Sequence, residues 1–442
     1  MRGDPGDPAA SGSFCILPWL HLEVTPEGAC KACCVAQEAV HAGREPLNVG
    51  QSPLQEVRRS RYMRSLRTAL ASGRKVPVCS YCWDQERRGE TSARQGWNRH
   101  FRDAIARLRE RTRQGTDAAE ELPLEYLQLS LGNTCNLACR MCNASYSSRI
   151  EADPVHSRWS PRMDRGRTVW DPPGGTRLQA GPPGRRWPGP APWFQQPEFF
   201  RQDLLGSGGS LRLLYVTGGE PLMSDDFARL LDAYVAQGHA GSMHLNLNSN
   251  LFHNEARLRR VLDSLLRFAG CTLGASVDGY AAAYEYIRYP GRWDVVARNL
   301  ELVRDLSRQD PRLACVVDIV VQPYNSLSLT ELLRFADGLG LECYPHVIEG
   351  PAFLRMQVVP RPLRLEAARR LQAYAAAPAQ PGPAATNRAH AQRIARHLES
   401  IREVPWRARR LRRRFLEFTR ALDAARGQRL ADAAPELAAA LA

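Results

Sequence analysis

The amino-acid sequence predicts an α/β protein: a partial (β/α)6, TIM-like barrel with a small Cys-rich domain in front and a helical region behind. Two observations carry this. Six strand-like segments alternate with amphipathic helical runs through the middle of the chain, the pattern of parallel β/α units. Cysteines crowd the first 95 residues, ahead of that pattern. The expected boundaries are 1–95 for the front domain, 120–350 for the barrel and 351–442 for the helical region. A Pro- and Gly-rich insertion interrupts the barrel at 154–197, and a linker, AAAPAQPGPAA, is expected at 375–385.

The first barrel strand is expected within Leu124–Leu131. Others follow at Leu211–Val216, Met243–Asn248, Thr272–Val277, Cys315–Val321 and Glu342–Ile348. Ser224 reads as the N-cap of a helix that Gly238 closes. A second helix runs from Asn254 to Phe268, closed by Gly270, and a third from Trp293 to Leu306. Ser328-Leu-Thr-Glu331 has the pattern of a capping box for the next one. The insertion holds Trp159, Trp170, Trp187 and Trp193, and buried tryptophans favour an ordered lid or substrate wall over a free linker. At the front, Phe14 to Gly28 reads as strand, tight turn and return strand.

The formal charge is +14 over 442 residues, and all but Lys31 and Lys75 of the 60 basic residues are arginine. With abundant Ala, Gly and Pro, that skew fits a GC-rich genome better than selection for phosphate contacts, so no nucleic-acid partner is expected. The run Arg407 to Arg414 reads as a solvated helix face. No apolar run is long enough to span a membrane, and Met1 to Ser13 lacks the apolar core of a signal peptide. A cytoplasmic protein with reduced cysteines is expected, several of them metal ligands.

Cys135, Cys139 and Cys142 stand at x3 and x2 spacing in one loop directly after the first strand. A four-iron four-sulfur cluster takes four thiolates, so three leave one iron open. The other reading is a zinc knuckle. The loop resembles the signature of the radical S-adenosylmethionine (radical SAM) superfamily. There the amino and carboxylate groups of the cofactor fill the open iron position.

That resemblance implies further site residues. Gly218-Gly219-Glu220 follows the second strand, where the family's acidic residue binds the cofactor's amino group. An ammonium needs a carboxylate partner, and glycines let backbones approach closely. Asn248 and Asn250 occupy the place of the family's Thr-Asn-Gly near the ribose; Ser249 and Leu251 depart from it. Ser276 and Asp278 end the fourth strand, and Arg288 follows. In related enzymes a serine and an arginine at matching places hold the cofactor carboxylate, which the planar guanidinium suits. Met141 stands where many members carry an aromatic residue, and Gln322 and Asn325 lie past the fifth strand, where they can line the pocket.

Cys15, Cys33, Cys79 and Cys82 resemble the ligand set of the twitch domain, a short form of the SPASM auxiliary-cluster domain. One group of radical SAM proteins places it ahead of the barrel, and this chain looks like that group. Cys30 and Cys34 leave the ligand set open, and a zinc site pairing Cys30/Cys33 with Cys79/Cys82 is the competing reading. His21 reads as structural. In the tail, Asp423 and Arg426 read as a helix-stabilising pair.

The resemblance implies two 4Fe-4S clusters and S-adenosylmethionine as cofactors, with an external electron donor of flavodoxin or ferredoxin type. It implies homolytic cleavage of S-adenosylmethionine to a 5′-deoxyadenosyl radical that takes a hydrogen atom from substrate. A closed second cluster favours net oxidation or cross-linking, of a peptide or a small metabolite. The chain starts close to the hairpin, which leaves no room for the leader-binding module of several peptide modifiers. The rival from another class is a nucleic-acid-binding zinc protein without radical chemistry.

Overall fold

The computed structural model describes residues 9, 11–160, 162–164, 167–169 and 192–442, so Trp170 and Trp187 lie outside the described residues. Among these, eight strands form the main sheet. They are β1 (His21–Val24), β2 (Cys30–Lys31), β3 (Tyr126–Ser130), β4 (Leu213–Thr217), β5 (His244–Ser249), β6 (Gly270–Ser276), β7 (Leu313–Val321) and β8 (Glu342–Val347). Their order is β8-β7-β6-β5-β4-β3-β1-β2. Every pairing is parallel except the β1–β2 hairpin.

β3 to β8 are the six strands expected from the sequence, each close to its expected bounds. Their alternation sets the layers. In β5, Leu245 and Leu247 are buried on one face while Asn246 and Asn248 are half-buried on the other. The same outer face carries Leu127, Leu214, Leu273, Val317 and Ile319, all fully buried. Asp225–Ala236, Glu255–Leu265, Trp293–Gln309 and Leu329–Leu339 are the helices that follow β4 to β7. Each fully buried leucine contributes about 1.5–3 kcal/mol. The inner face carries the polar residues Gln128, Tyr215, Asn246, Asn248 and Asp318. No described helix is long and apolar enough to cross a membrane.

Several elements depart from expectation. The front segment opens with a short helix, Leu17–Leu20, rather than a strand. After it β1 hydrogen-bonds in parallel to β3, so the front segment and the barrel share one sheet and one continuous core. Gly28 makes the tight turn at φ +88, and a Cβ there would meet Asn48 Oδ1 at 2.6 Å. Two arginines tie this region down from inside: Arg58 donates to the carbonyls of Trp19 and Leu122, and Arg67 to those of Ala119, Pro18 and Arg58. The basic composition is therefore partly structural. Ser224 and Asn254 do cap their helices, and Gly238 follows the first of them at φ +77. Ser328 makes no capping hydrogen bond, and Gly270 opens β6 rather than ending a helix.

The expected linker is a tight turn. Helix Arg361–Ala376 ends there and helix Pro383–Ser400 starts with proline in its first turn. The second helix covers the free edge of β8. Asn387 Oδ1 accepts from Cys343 N at 2.7 Å, His390 Nδ1 lies 2.6 Å from Cys343 O, and Arg393 donates to Pro345 O at 2.8 Å. Side chains thus stand in for a missing neighbour strand. The long helix Pro405–Arg426 follows, with Arg407, Arg409, Arg410 and Arg413 exposed as expected.

Candidate functional site

The loop after β3 carries Cys135, Cys139 and Cys142 across the mouth of the barrel. Its backbone is held by neighbours rather than by itself. Ala138 N donates to Tyr289 O at 2.7 Å and Arg140 N to Ile287 O at 2.8 Å. Ser147 Oγ reaches Leu137 O at 2.6 Å. Leu137 N points at Cys135 Sγ from 3.4 Å, and Arg288 Nη1 at Cys139 Sγ from 3.9 Å. Burial and then the neighbouring thiols raise the pKa of Cys135; burial and then Cys139 push Cys142 up to about 12.

The loop after β4 presses against the cysteine loop. A Cβ on Gly219 would lie 2.2 Å from Thr134 O, and one on Gly218, at φ +126, would lie 3.0 Å from Gly132 O. Only glycine allows this approach. Gly219 N then donates to Gly132 O at 3.2 Å and Glu220 N to Thr134 O at 2.7 Å. The Glu220 side chain is 2 % exposed and accepts from Ser249 Oγ at 2.8 Å, Leu222 N at 3.2 Å and Asn250 N at 2.7 Å. His253 Nε2 lies 3.3 Å from the same carboxylate.

Asn250 joins this knot through Asn136, at 2.8 Å, and its amide lies 4.0 Å from Cys135 Sγ. Leu251, where the resemblance expects glycine, adopts φ +53 and is fully buried. The chain keeps the left-handed backbone and accepts a cost of about 1–2 kcal/mol for it. Asn248 sits deeper in the lumen, between the Tyr215 hydroxyl and the Asp318 carboxylate.

On the far side, Ser276 ends β6 half-buried. Asp278 is fully buried; its Oδ1 accepts from Val320 N at 2.7 Å and its Oδ2 lies 2.7 Å from Arg288 Nη2. That ion pair is bent, leaving Asp278 Oδ2 and Arg288 Nε without a hydrogen bond. Burial works against the Arg288 charge, but Asp278 and the Cys139 sulfur outweigh it and raise its pKa. Asn325 is a structural knot rather than a pocket wall, donating to Asp278 O at 2.7 Å and Val320 O at 2.8 Å. Gln322 is buried with Oε1 unpartnered, and Met141 is half-buried.

Arg140 was not singled out by the sequence. It is fully buried in the loop between Cys139 and Cys142, lies 3.6 Å over the Tyr286 ring, and donates to Tyr286 O at 2.9 Å. It also reaches Asp423 at 2.6 Å and Gln428 at 3.0 Å. The expected Asp423–Arg426 pair is therefore replaced. Asp423 serves Arg140 and the Tyr286 hydroxyl, while Arg426 turns to His156 at 2.9 Å and Asp153 at 3.5 Å.

In the front segment Cys15, Cys33, Cys79 and Cys82 lie within electrostatic reach of one another. All four thiols are raised by burial first; Cys15 and Cys33 each also feel Cys79, and Cys79 feels Cys82. Cys34 stands exposed at the rim of this group, with Glu23 and Lys31 among its electrostatic neighbours. Cys30 is set apart, its sulfur 3.9 Å from Gly28 O and its electrostatic neighbours Glu23 and Asp203. Arg94 steadies the group by bonding Glu86 and Phe14 O, while its guanidinium covers the Trp83 ring at 5.1 Å. Trp193 packs nearby, donating to Pro26 O at 3.0 Å. Trp159 instead meets Phe353 and Phe418. His21 is structural as expected, stacked on Tyr126 at 4.0 Å and lowered to about 3 by burial.

The chemistry of these donors fits iron–sulfur clusters: soft thiols grouped by threes and fours, with N–H groups directed at sulfur in the barrel loop. Among the described residues, no three or more His, Cys, Asp or Glu side chains converge as a site for a single ion.

Residues 129–336 match the sequence model of the Radical SAM superfamily. No curated protein matches the chain. Among solved structures it is similar to Streptococcus suis SuiB bound to S-adenosylmethionine, at 12% identity and a TM-score of 0.34, over 62% of this chain and 53% of that one. It is also similar to anSMEcpe with bound AdoMet, at 13% identity and a TM-score of 0.36, over 56% and 57%. A third is SuiB bound to the precursor peptide SuiA, at 12% and 0.33, over 61% and 52%. The matches span little more than half of those chains. Residues 129–336, a little under half of the chain, form a radical SAM domain.

Proposed function

We propose that this protein reductively cleaves S-adenosylmethionine and uses the radical so formed to remove a hydrogen atom from a peptide or small metabolite, in a net oxidation or cross-linking. The observation that carries the reading is the packing of the three-cysteine loop onto Gly218, Gly219 and Glu220 at the mouth of a polar lumen, within the segment that matches the superfamily. When bound, a four-iron cluster with one open iron supplies an electron to the sulfonium of the cofactor.

The protein's own part is to bind and orient. Cys135, Cys139 and Cys142 would hold the barrel cluster. Glu220, with one donor on Oε2, has an acceptor position left for the cofactor ammonium. Ser276 and the Nε of Arg288 would face its carboxylate, with Asp278 keeping the guanidinium in place. Asn248 and Asn250 would serve the ribose. Cys15, Cys33, Cys79 and Cys82 would hold a closed second cluster, for which Cys34 rather than Cys30 is the competing ligand, given where the two thiols lie. An external one-electron donor, flavodoxin- or ferredoxin-like, completes the cycle.

The test is anaerobic reconstitution. Brown protein with matched iron and sulfide, releasing 5′-deoxyadenosine from S-adenosylmethionine under dithionite, is expected. Colourless, zinc-loaded protein that leaves the cofactor intact would overturn the reading.

A further inference from the structure

We propose that the inner face of the open barrel binds a cationic group of the substrate, an ammonium or guanidinium, between Glu23 on β1 and Asp318 on β7. This deepens the proposed function and rests on it only in calling the ligand a substrate.

The register fixes which side chains face the lumen. Leu22, Leu127, Leu214 and Leu245 are partners across β1, β3, β4 and β5, and all four are fully buried on the outer face. The next residue on each strand faces the other way. Those residues, Glu23, Gln128, Tyr215 and Asn246, are again partners and form one polar row. One turn of the pleat further, Asn248 links Tyr215 to Asp318. Gly274 lies between them on β6, and a Cβ there would stand 2.1 Å from Asp318 Oδ2 and 2.8 Å from Asn248 Nδ2. The glycine is what lets the carboxylate enter the lumen.

The unsatisfied atoms along this row accept hydrogen bonds. Glu23 is 6 % exposed, yet its Oε2 has no hydrogen-bond partner, and neither does Asn246 Oδ1. Lys31 approaches Glu23 only to 3.7 Å and spends a proton on Cys34 O at 3.2 Å. A carboxylate held out of water costs several kcal/mol unless a cation meets it. A hydrogen-bond donor answers Glu23 Oε2 or Asn246 Oδ1, and an anion answers neither. Glu23 and Tyr215 share that row, two strands apart, and Asn248 joins the Tyr215 hydroxyl to Asp318.

The test uses three blocked tripeptides, acetyl-Ala-Lys-Ala-amide and its norleucine and glutamate counterparts. Each is offered to the reconstituted full-length protein with S-adenosylmethionine, and binding is read by equilibrium dialysis. The lysine peptide should bind about tenfold more tightly than the norleucine one, the ratio one charge-assisted hydrogen bond supplies. Glu23→Gln and Asp318→Asn, checked for unchanged circular dichroism and iron content, should each erode that preference. Equal binding of the lysine and norleucine peptides to the wild type overturns the proposal without any variant. So does a preference that survives in the double variant. Dialysis needs no turnover, so a lysine preference in protein that never releases deoxyadenosine would overturn the enzymatic reading and leave the cation site standing.

Discussion

Arg140 of the cysteine loop and Asp423 of the long C-terminal helix meet at 2.6 Å, although 283 residues separate them. The arginine is buried, so its position depends on that carboxylate. The helical region is thereby part of the site. It pins the residue between Cys139 and Met141 from behind.

Asp423→Ala removes the acceptor of Arg140, of the Tyr286 hydroxyl and of Leu430 N. Leaving a buried guanidinium unpaired costs about 3 kcal/mol. Chemical denaturation should show that loss, and a chelator should strip iron from the variant faster than from wild type. Unchanged stability with unchanged iron release would refute the clamp.

Iron content separates the two cysteine groups. Reconstituted protein should hold about eight irons, as two four-iron clusters require. Alanine at Cys135, Cys139 and Cys142 together should halve that, and so should alanine at Cys79 and Cys82. Complete loss of iron from either variant, with the fold intact, would contradict two independent sites.

Gly219→Ala should act on the barrel group alone. The added methyl has nowhere to go, because the atom 2.2 Å away is backbone. The cysteine loop must shift, so about half of the iron and all deoxyadenosine formation should go, while the front group keeps its share. Both are read from one preparation, by iron assay and chromatography.

Glu220→Gln should weaken cofactor binding about tenfold, the worth of one charged hydrogen bond to an ammonium. Equilibrium dialysis of S-adenosylmethionine reports it without turnover. Wild-type affinity in the variant would take Glu220 out of the cofactor site.

Acid should destabilise the fold through His21. Burial lowers its pKa from 6.5 to about 3, so the unfolded chain binds a proton that the folded one refuses. Stability is therefore full above the unfolded value and falls as pH drops below it. Between pH 7.5 and 5.5 this residue alone removes about 1.4 kcal/mol. His156 is depressed in the same direction and adds to the slope. A His21→Gln variant should lose less on that pH step than wild type, in denaturant titrations at the two pH values.

The barrel was legible because each strand announces itself within a few residues. Leu245-Asn-Leu-Asn248 alternates at the strand period, and Ser224 and Asn254 cap the helices after β4 and β5. The pairings that were not legible are non-local. Nothing near His21–Val24 says that its partner is Tyr126–Ser130, since a parallel pairing across some hundred residues leaves no local trace. Asp423 and Arg426 have the spacing of a helical pair, yet Asp423 goes to the buried Arg140, and Arg426, itself buried, turns to His156 and Asp153. Ser328 has the letters of a capping box, but its backbone, at φ −108 and ψ 6, makes no capping bond. Within the site, the cysteine spacing and the GGE motif were readable. Arg140, Gly274 and Asp318 were not, because their meaning depends on which strands flank them.

The clamp on Arg140 also sets an order of events during synthesis. Ribosomes add about 5–20 residues per second, so the 283 residues between the partners take roughly 15 to 60 seconds to appear. For most of that interval the cysteine loop has left the ribosome while its back support does not yet exist. Iron delivered in that window meets an unbraced loop, and iron delivered later meets one locked by the finished tail. A release-arrested nascent chain stopped short of Asp423 would thus differ from the completed protein in how readily it takes up a cluster and how readily it gives one back.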